Sequence, residues 1–319
     1  MASKSRIVLV TGGAGFVGSH LVDALVECGH RVRIIDNLST GSRENLNPGA
    51  QLVDADIRDL EAIREAFEDI DTVFHTAALP RVPLSIEKPI ETHAVNALGA
   101  LNVLMAARDA RVRRFIYSGS SSVYGNQPTL PLREDMKPSP LNPYALQKLV
   151  GEQYCRLFHQ LYGMETLTLR YFNVFGPRMA TAGAYVTVIG VFLRLRRERK
   201  SLTIHGDGTQ SRDFTHVRDV VRANLLAMDS EVADGRALNI GQGTAVSIKR
   251  IAEMIGGPVE FLPRRPGDML HTLADYSEAA SSLGWRPQVT TDDGINELLD
   301  LEGLPTRSRP ASLCNLKQV

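Results

Sequence analysis

A glycine-rich turn near the start of the chain joins an apolar run at residues 7–10 to an amphipathic segment at 17–27. The turn places Gly12, Gly15 and Gly18 three residues apart. Glycine at these points allows a tight turn, lets backbone N–H groups approach a pyrophosphate, and lets a helix pack on a strand. The N-terminus of the following helix also favours phosphate. This order of strand, turn and helix predicts a dinucleotide-binding unit.

Short apolar runs and amphipathic stretches alternate through the first half of the chain. The apolar runs are rich in β-branched residues and lack polar alternation, as is typical of strands covered on both faces. They lie at 7–10, 31–35, 51–53, 72–75, 115–118 and 166–171. The amphipathic stretches lie at 17–27, 60–67, 90–107 and 144–162. Because strands and helices alternate, we expect an α/β fold with a Rossmann-type doubly wound parallel sheet.

The pattern loosens after Tyr171, and Gly176 and Pro177 break it. We then expect a loop at 181–187, a helix at 188–199, a turn at 206–208, a helix near 218–228, a strand at 237–240 and a last helix near 247–255. These elements predict a smaller mixed α/β C-terminal lobe at 176–304 beside a Rossmann domain at 1–175. We expect part of 213–243 to return to that domain. The composition of 305–319 predicts a flexible tail.

The charge and the composition argue against several classes of protein. The formal net charge is zero, because 36 lysines and arginines balance 36 aspartates and glutamates. The chain therefore lacks the overall charge that favours nucleic acid or an anionic membrane surface. It shows neither a signal peptide nor an apolar run of membrane-spanning length. The cysteines Cys28, Cys155 and Cys314 lack metal-binding spacing and suit a reducing compartment. We expect a cytoplasmic protein without a metal.

The second predicted strand ends at Asp36, close to the offset of about 20 residues expected of a ribose-binding acid. A carboxylate there accepts hydrogen bonds from ribose hydroxyls and repels a 2′-phosphate. Asn37 follows where an arginine would favour NADP, so the sequence predicts NAD. Asp56 and Ile57, after the third strand, suit the two sides of an adenine. Asp56 equally suits the cap of the helix at 60–67, and the sequence leaves both interpretations open.

Tyr144 and Lys148 lie four residues apart, so they share one face of a helix. Asn142 and Pro143 are typical of the start of that helix. The strand at 115–118 runs directly into a serine-rich segment that contains Ser120. Ligands of a doubly wound sheet lie at the carboxyl ends of its strands. We therefore expect the three side chains to meet there.

This set of groups suits the oxidation of an alcohol. The free pKa of a phenol, about 10, is too high for a base at neutral pH. A nearby ammonium and a positive nicotinamide favour the phenolate, so we expect the pKa of Tyr144 to be lowered. The Ser120 hydroxyl can hold the substrate oxygen and relay its proton.

In combination these motifs resemble the extended short-chain dehydrogenase/reductases of the UDP-glucose / UDP-N-acetylglucosamine 4-epimerase family. The resemblance extends from about Ile7 to Trp285. It rests on TGGAGFVG at 11–18, HTAA at 75–78, SGSSSVYG at 118–125, YALQK at 144–148, RYFNVFGP at 170–177, GDG at 206–208, SRDF at 211–214 and RPGD at 265–268.

The resemblance implies three groups of site residues. The catalytic residues are Ser120, Tyr144 and Lys148. The NAD-binding residues are Gly12, Gly15, Phe16, Val17, Gly18, Asp36, Asn37, Ser39, Thr40, Gly41, Asp56, Ile57, Thr76, Ala77, Ala78, Asn96, Ser118, Tyr144, Lys148 and Tyr171. The UDP-sugar-binding residues are Pro80, Arg81, Ser120, Ser121, Ser122, Tyr144, Asn173, Val188, His205, Arg212, Arg265, Asp268 and Thr272.

The resemblance also bears on the reaction. Related dehydratases carry an acid pair where this chain has Ser121 and Ser122, and glucuronate epimerases often replace the asparagine at Asn173. These features imply 4-epimerisation through a 4-keto sugar, with a dehydratase, a uronate epimerase or a reductase as alternatives. The small Thr272 implies room for an N-acetylhexosamine. The family also implies a homodimer formed through the helices at 90–107 and 144–162.

Overall fold

The computed structural model describes residues 5–181, 187–263 and 270–306. Within these ranges, seven parallel strands form the central sheet in the order β11-β6-β5-β4-β1-β2-β3. The strands are β1 (Ile7–Thr11), β2 (Arg31–Ile35), β3 (Ala50–Val53), β4 (Thr72–His75), β5 (Arg114–Ser120), β6 (Glu165–Tyr171) and β11 (Asp234–Ile240). The predicted Rossmann-type sheet is thereby confirmed.

Helices cover both faces of this sheet. They are α1 (Phe16–Glu27), α2 (Leu60–Ile63), α5 (Ala100–Asp109), α6 (Pro143–Tyr162) and α8 (Val217–Asp229). The short helices α3 (Val82–Glu87) and α4 (Pro89–His93) pack against α6. One apolar layer contains Leu21 and Leu25 of α1 and Val220 of α8, and the other contains Val103 of α5 and Phe158 of α6. Because both faces of the sheet are buried, the sequences of its strands are continuous apolar runs.

A smaller lobe packs beside the carboxyl ends of the strands. Its elements are β7 (Val174–Phe175), α7 (Val188–Arg197), β8 (Leu202–His205), β9 (Ser211–Asp213), β10 (Thr215–His216), β12 (Ala245–Ser247), α9 (Ile248–Ile255), β13 (Val259–Leu262) and α11 (Thr291–Leu301). The helix α10 (Ser277–Leu283) instead packs against α8 and β11, and its Ala279 and Leu283 join the core of the main sheet. Phe192, Ile251 and Ile295 bring α7, α9 and α11 together in one core. Among the described residues, no helix is both long enough and apolar enough to cross a membrane.

Three of the predicted elements need adjustment. The segment at 90–107 is helical throughout, within a continuous run from Pro89 to Asp109, but its stretch at Ala94–Gly99 is π-helical and lies between α4 and α5. The segment at 60–67 is a short α-helix followed by a 3₁₀ turn at Arg64–Phe67. The helix at Ile248–Ile255 is not the last, since α10 and α11 follow it. The Thr290 hydroxyl caps α11 by accepting the Asp293 N–H at 3.1 Å, a start signal that the sequence contains.

Candidate active site

The glycine turn after β1 has a shape that only glycine permits at two of its points. Gly12 has φ +73°, and a Cβ there would lie 2.7 Å from the Ala77 Cα. A Cβ on Gly18 would overlap the Gly12 carbonyl oxygen. At Gly15 a Cβ would meet only that same oxygen, at 3.2 Å, so the turn is open on this side. An open backbone cradle at the start of α1 fits the diphosphate of a dinucleotide.

Asp36 lies at the end of β2 and is nearly buried. One of its carboxylate oxygens accepts the Ala14 N–H at 2.9 Å, and the other accepts the Leu38 N–H at 2.8 Å. The acid is therefore held against the glycine turn and is not a free acid on a surface loop. Each oxygen retains a lone pair with which it can accept from a ribose hydroxyl.

The loop after Asp36 lies against the same turn and reaches the predicted adenine-side residues. Asn37 donates to an Asp56 oxygen at 2.8 Å, and the Ser39 hydroxyl donates to Asn37 at 2.7 Å. Hydrogen bonds from Arg58 lower the pKa of Asp56 to about 2. Asp56 does not cap the following helix.

The actual cap of α2 is Asp59, whose carboxylate accepts the N–H groups of Glu61 and Ala62. A hypothetical Cβ on Gly41 would lie 2.8 Å from the Ala14 Cβ, which places this predicted cofactor residue beside the turn. Ile57 is buried against Gly99. Phe16 and Val17 are half-buried in the first turn of α1, and Thr40 is exposed.

The loop after β4 carries the next predicted cofactor residues. The Thr76 hydroxyl donates to the Thr11 carbonyl at 2.7 Å, and the Ala77 N–H donates to the Thr11 hydroxyl at 3.3 Å. Ala78 is half-buried in the same loop. Asn96, in the π-helical stretch, accepts the Leu79 N–H at 2.7 Å and so holds the end of this loop.

Ser120, the last residue of β5, and Tyr144, in the first turn of α6, come together as predicted. The Ser120 hydroxyl lies 2.8 Å from the Ser122 hydroxyl and accepts the Ser122 N–H at 3.2 Å. Burial raises the pKa of Tyr144, and a hydrogen bond with Ser120 opposes that rise. The expected lowering of the Tyr144 pKa is therefore absent from the protein alone, because burial has the larger effect.

Lys148 lies one helical turn after Tyr144 and is almost fully buried. Its ammonium donates to the Ser118 carbonyl at 2.9 Å and lies 5.0 Å from the centre of the Tyr117 ring. Burial lowers the pKa of Lys148 to about 8. The Tyr117 ring in turn stacks on His75, with centroids 5.6 Å apart. No motif or spacing predicts the contacts that Tyr117 makes with Lys148 and His75.

Ser118 and Tyr171 close the site on the side of β6. Their hydroxyls lie 3.1 Å apart, and the Asn224 side chain donates to the Tyr171 hydroxyl at 2.8 Å. Burial raises the pKa of Tyr171 to about 12, so its phenol stays protonated. Asn224 comes from α8 and was not predicted. Its role follows only from the packing of α8 on the sheet.

The predicted substrate residues follow β6 and line the smaller lobe. The Asn173 amide donates to the Asp213 carbonyl at 2.9 Å and lies 3.3 Å from the Thr272 hydroxyl. Thr272 is buried, and its hydroxyl also accepts the Asp213 N–H at 3.2 Å. Arg212 donates to the carbonyls of its neighbours Ser211 and Leu270.

The remaining predicted substrate residues are more scattered. Pro80 is exposed, and Arg81 is half-buried at the start of α3. His205, at the end of β8, lies 3.1 Å from the Pro263 carbonyl, and Val188 begins α7. Ser121 is buried and Ser122 is half-buried. Arg265 and Asp268 lie outside the described residues.

The described residues thus contain a parallel sheet, a glycine-rich turn that is open beside Gly15 and bonded to Asp36, and a cluster of Ser120, Tyr144 and Lys148 at the end of β5. These features define an NAD-dependent short-chain dehydrogenase/reductase. The model of the NAD dependent epimerase/dehydratase family matches residues 8–241. The chain belongs to this family.

Relatives narrow the class further. The UDP-glucose 4-epimerase of Mycolicibacterium smegmatis is 36% identical over 309 residues, covering 92% of this chain and 97% of that protein. The structure of UDP-glucose 4-epimerase from Thermotoga maritima with UDP-glucose matches with a TM-score of 0.88 at 36% identity, covering 92% of this chain and 98% of that one. The UDP-N-acetylglucosamine 4-epimerase of Methanobrevibacter ruminantium, solved with UDP-N-acetylmuramic acid, matches with a TM-score of 0.88 at 36% identity, covering 93% and 99%. The chain is an NAD-dependent nucleotide-sugar epimerase similar to the UDP-glucose 4-epimerases.

Proposed function

We propose that the chain catalyses the 4-epimerisation of a UDP-hexose or a UDP-N-acetylhexosamine through a 4-keto sugar. The observation that carries this proposal is the meeting of Ser120, Tyr144 and Lys148 at the carboxyl end of β5. The substrates named for the Thermotoga and Methanobrevibacter relatives support a UDP-sugar.

Each residue of the cluster has a distinct task. Tyr144 takes the proton of the sugar 4-hydroxyl and later returns it, while Ser120 holds the same oxygen in line. Lys148 carries its ammonium on the same face of α6, one helical turn from Tyr144, and a positive charge in this part of the site favours the phenolate. The glycine turn at 12–18 and Asp36 would hold NAD, which would supply a hydride acceptor for the oxidation at C4 and, once reduced, a hydride donor for the opposite face of the keto sugar.

The remaining substrate residues fit the rest of a UDP-sugar. We assign the diphosphate to Asn173, Arg212 and Arg265, because guanidinium groups fork onto phosphate oxygens. We assign the uridine ribose to Asp268, whose carboxylate accepts from hydroxyls. The Ser121 and Ser122 positions hold no carboxylic acid that would promote loss of water, which favours an epimerase over a dehydratase.

The test is a product analysis with five substrates. The purified protein is incubated without added cofactor with UDP-glucose, UDP-galactose, UDP-GlcNAc, UDP-GalNAc and UDP-glucuronate, and the products are read by NMR. For each pair of C4 epimers that the protein accepts, we expect the same equilibrium mixture of the two sugars whichever epimer is supplied. A 4-keto-6-deoxy product, turnover of the uronate alone, or a strict need for stoichiometric NAD(P)H would each replace the proposal with one of its alternatives.

We also propose a homodimer formed through the helical segments at 90–107 and 144–162. Apolar side chains on these segments are exposed in the single chain: Ile90, Leu98, Leu146, Leu157 and Leu161. Sedimentation at micromolar concentration tests this assembly.

Cys28 and Cys155 carry free thiols, which suits the cytoplasmic location expected from the sequence.

A further inference from the structure

The start of α6 leaves one backbone donor that neither the helix nor its cap satisfies. The first helical residue, Pro143, has no N–H, and the Asn142 side chain accepts the Ala145 N–H at 2.9 Å. The Leu146 N–H donates to the Asn142 carbonyl at 3.1 Å. The donor that remains is the backbone N–H of Tyr144.

Ser85 satisfies this donor from a different segment. Its hydroxyl oxygen accepts the Tyr144 N–H at 3.1 Å and donates its own proton to the Val82 carbonyl at 2.7 Å. Ser85 has no exposed surface, so its hydroxyl is satisfied by these two protein partners. The two residues are 59 positions apart in the chain, and this bond fixes α3 against the first turn of α6.

The segment that carries Ser85 is itself tied to α6 further along. The Gln147 side chain donates to the Thr92 hydroxyl at 3.0 Å and accepts from the Asn96 amide at 2.9 Å. Gln147 is buried, and in the sequence it lies between Tyr144 and Lys148. The segment formed by α3, α4 and the π-helical stretch is therefore bonded to α6 at two points, the Tyr144 N–H and the Gln147 side chain. Ser85 is thus a fixed reference point for the Tyr144 backbone.

We propose that Ser85 is a positioning residue for Tyr144, which sets the place of the phenol relative to Ser120 and to C4 of the sugar. This inference rests on the proposed role of Tyr144 as the acid/base. Without the Ser85 hydroxyl, the Tyr144 N–H loses its acceptor in a buried site and the first turn of α6 loosens. A displacement of about 1 Å in a catalytic group can cost about 100-fold in rate.

The test compares Ser85→Ala and Ser85→Thr with wild type, using UDP-glucose and UDP-galactose, each with hydrogen or deuterium at C4. We expect Ser85→Ala to lower kcat by at least about tenfold, to leave KM within about twofold, and to raise the isotope effect on kcat. Ser85→Thr retains the hydroxyl and should recover most of the rate. If Ser85→Ala does not fold, Ser85→Cys keeps the side-chain volume with a weaker acceptor and should show the same pattern.

Thr166→Val is the matched control. The Thr166 hydroxyl is equally buried and also bonds to α6, where it donates to the Cys155 carbonyl at 2.8 Å far from the site. We expect this variant to lose stability but to keep kcat and the isotope effect of wild type.

Tyr144→Phe, assayed in parallel, separates this inference from the function itself. If Tyr144→Phe is inactive while Ser85→Ala, or Ser85→Cys in its place, turns over within twofold of wild type, the positioning role of Ser85 is wrong and the proposed function stands. If Tyr144→Phe retains full turnover, the acid/base assignment is wrong and the role of Ser85 fails with it.

Discussion

The Lys148 ammonium donates to the Ser118 carbonyl oxygen at 2.9 Å, from a position that is almost fully buried. This contact ties the charged group of α6 to the end of β5, where Ser120 also lies. The bond supplies one acceptor for the ammonium, but burial still lowers the pKa of Lys148 from 10.5 to about 8.

We expect this pKa to appear in the alkaline limb of the rate profile. Lys148 is charged below about pH 8 and neutral above it, so kcat should fall as the pH rises through about 8. Arginine keeps its charge throughout this range, so Lys148→Arg should lose the limb even if its overall rate is lower. The measurement is kcat against pH from about 6 to about 10. An unchanged limb in Lys148→Arg would assign it to another group.

The same shift has a consequence for stability. The folded protein favours neutral Lys148, so between about pH 8 and 10.5 the unfolded state binds more protons at this position. The contribution of Lys148 to the free energy of unfolding therefore rises with pH in that window. Lys148→Met should remove this component from the pH dependence of urea unfolding, and a slope equal to that of wild type would contradict the assignment.

The third prediction concerns Asp36 and the choice of cofactor. Asp36→Asn keeps the shape and one oxygen acceptor, but it loses the charge that repels a 2′-phosphate. We expect the ratio of the Kd for NADP to the Kd for NAD to fall by at least about tenfold. Calorimetric titration of the cofactor-free protein with each cofactor measures both constants. Asp56→Asn is the control, because it removes a carboxylate from the other side of the same loop and should leave the preference nearly unchanged. Equal effects of the two variants would remove Asp36 from the ribose site.

Local signals made the catalytic residues predictable, whereas their supports depend on contacts between distant segments. Asn142 and Pro143 mark the start of α6 and fix the phase of Tyr144 and Lys148 on one helical face. Ser85 lies in a short helix and belongs to no sequence motif that would mark its hydroxyl as important. Its hydroxyl meets the Tyr144 N–H only when α3 packs on α6.

The errors in the predicted elements have the same origin. The π-helical stretch at Ala94–Gly99 contains no proline, its one glycine is its last residue, and it coincides with the buried Asn96 bonds to Leu79 and Gln147. Such bonds between segments are invisible to periodicity. The missed α11 did carry a local signal at Thr290, so that error was avoidable.

The fourth prediction concerns Thr272 and the size of the sugar pocket. We expect Thr272→Tyr to abolish turnover of UDP-GlcNAc while UDP-glucose is still epimerised, because a bulky side chain removes the space for an acetamido group. Thr272 is buried and its hydroxyl bonds to the Asp213 N–H. Thr272→Val therefore serves as the control for loss of that hydroxyl at constant size. Parallel loss of both substrates in Thr272→Tyr and Thr272→Val would indicate a folding role in place of a pocket role.

The last prediction concerns stability at the buried pair formed by Arg170 and Glu152. Two hydrogen bonds of 2.6 and 2.9 Å join the guanidinium to the carboxylate, and a third, of 2.7 Å, runs from Arg170 to the Tyr124 hydroxyl. Glu152→Gln leaves a buried guanidinium without its counter-charge, which costs about 3–5 kcal/mol and should lower Tm by roughly 10 °C.

The control is Asp135→Asn, which breaks the exposed pair with Arg133. We expect this variant to unfold at the wild-type temperature, because water and salt screen an exposed pair. Both variants should keep wild-type kcat at 25 °C, since neither carboxylate contacts Ser120, Tyr144 or Lys148 in the described residues. If Glu152→Gln has the same Tm as Asp135→Asn, the predicted cost is wrong. That result would mean that water hydrates the Arg170 guanidinium in place of the missing carboxylate charge.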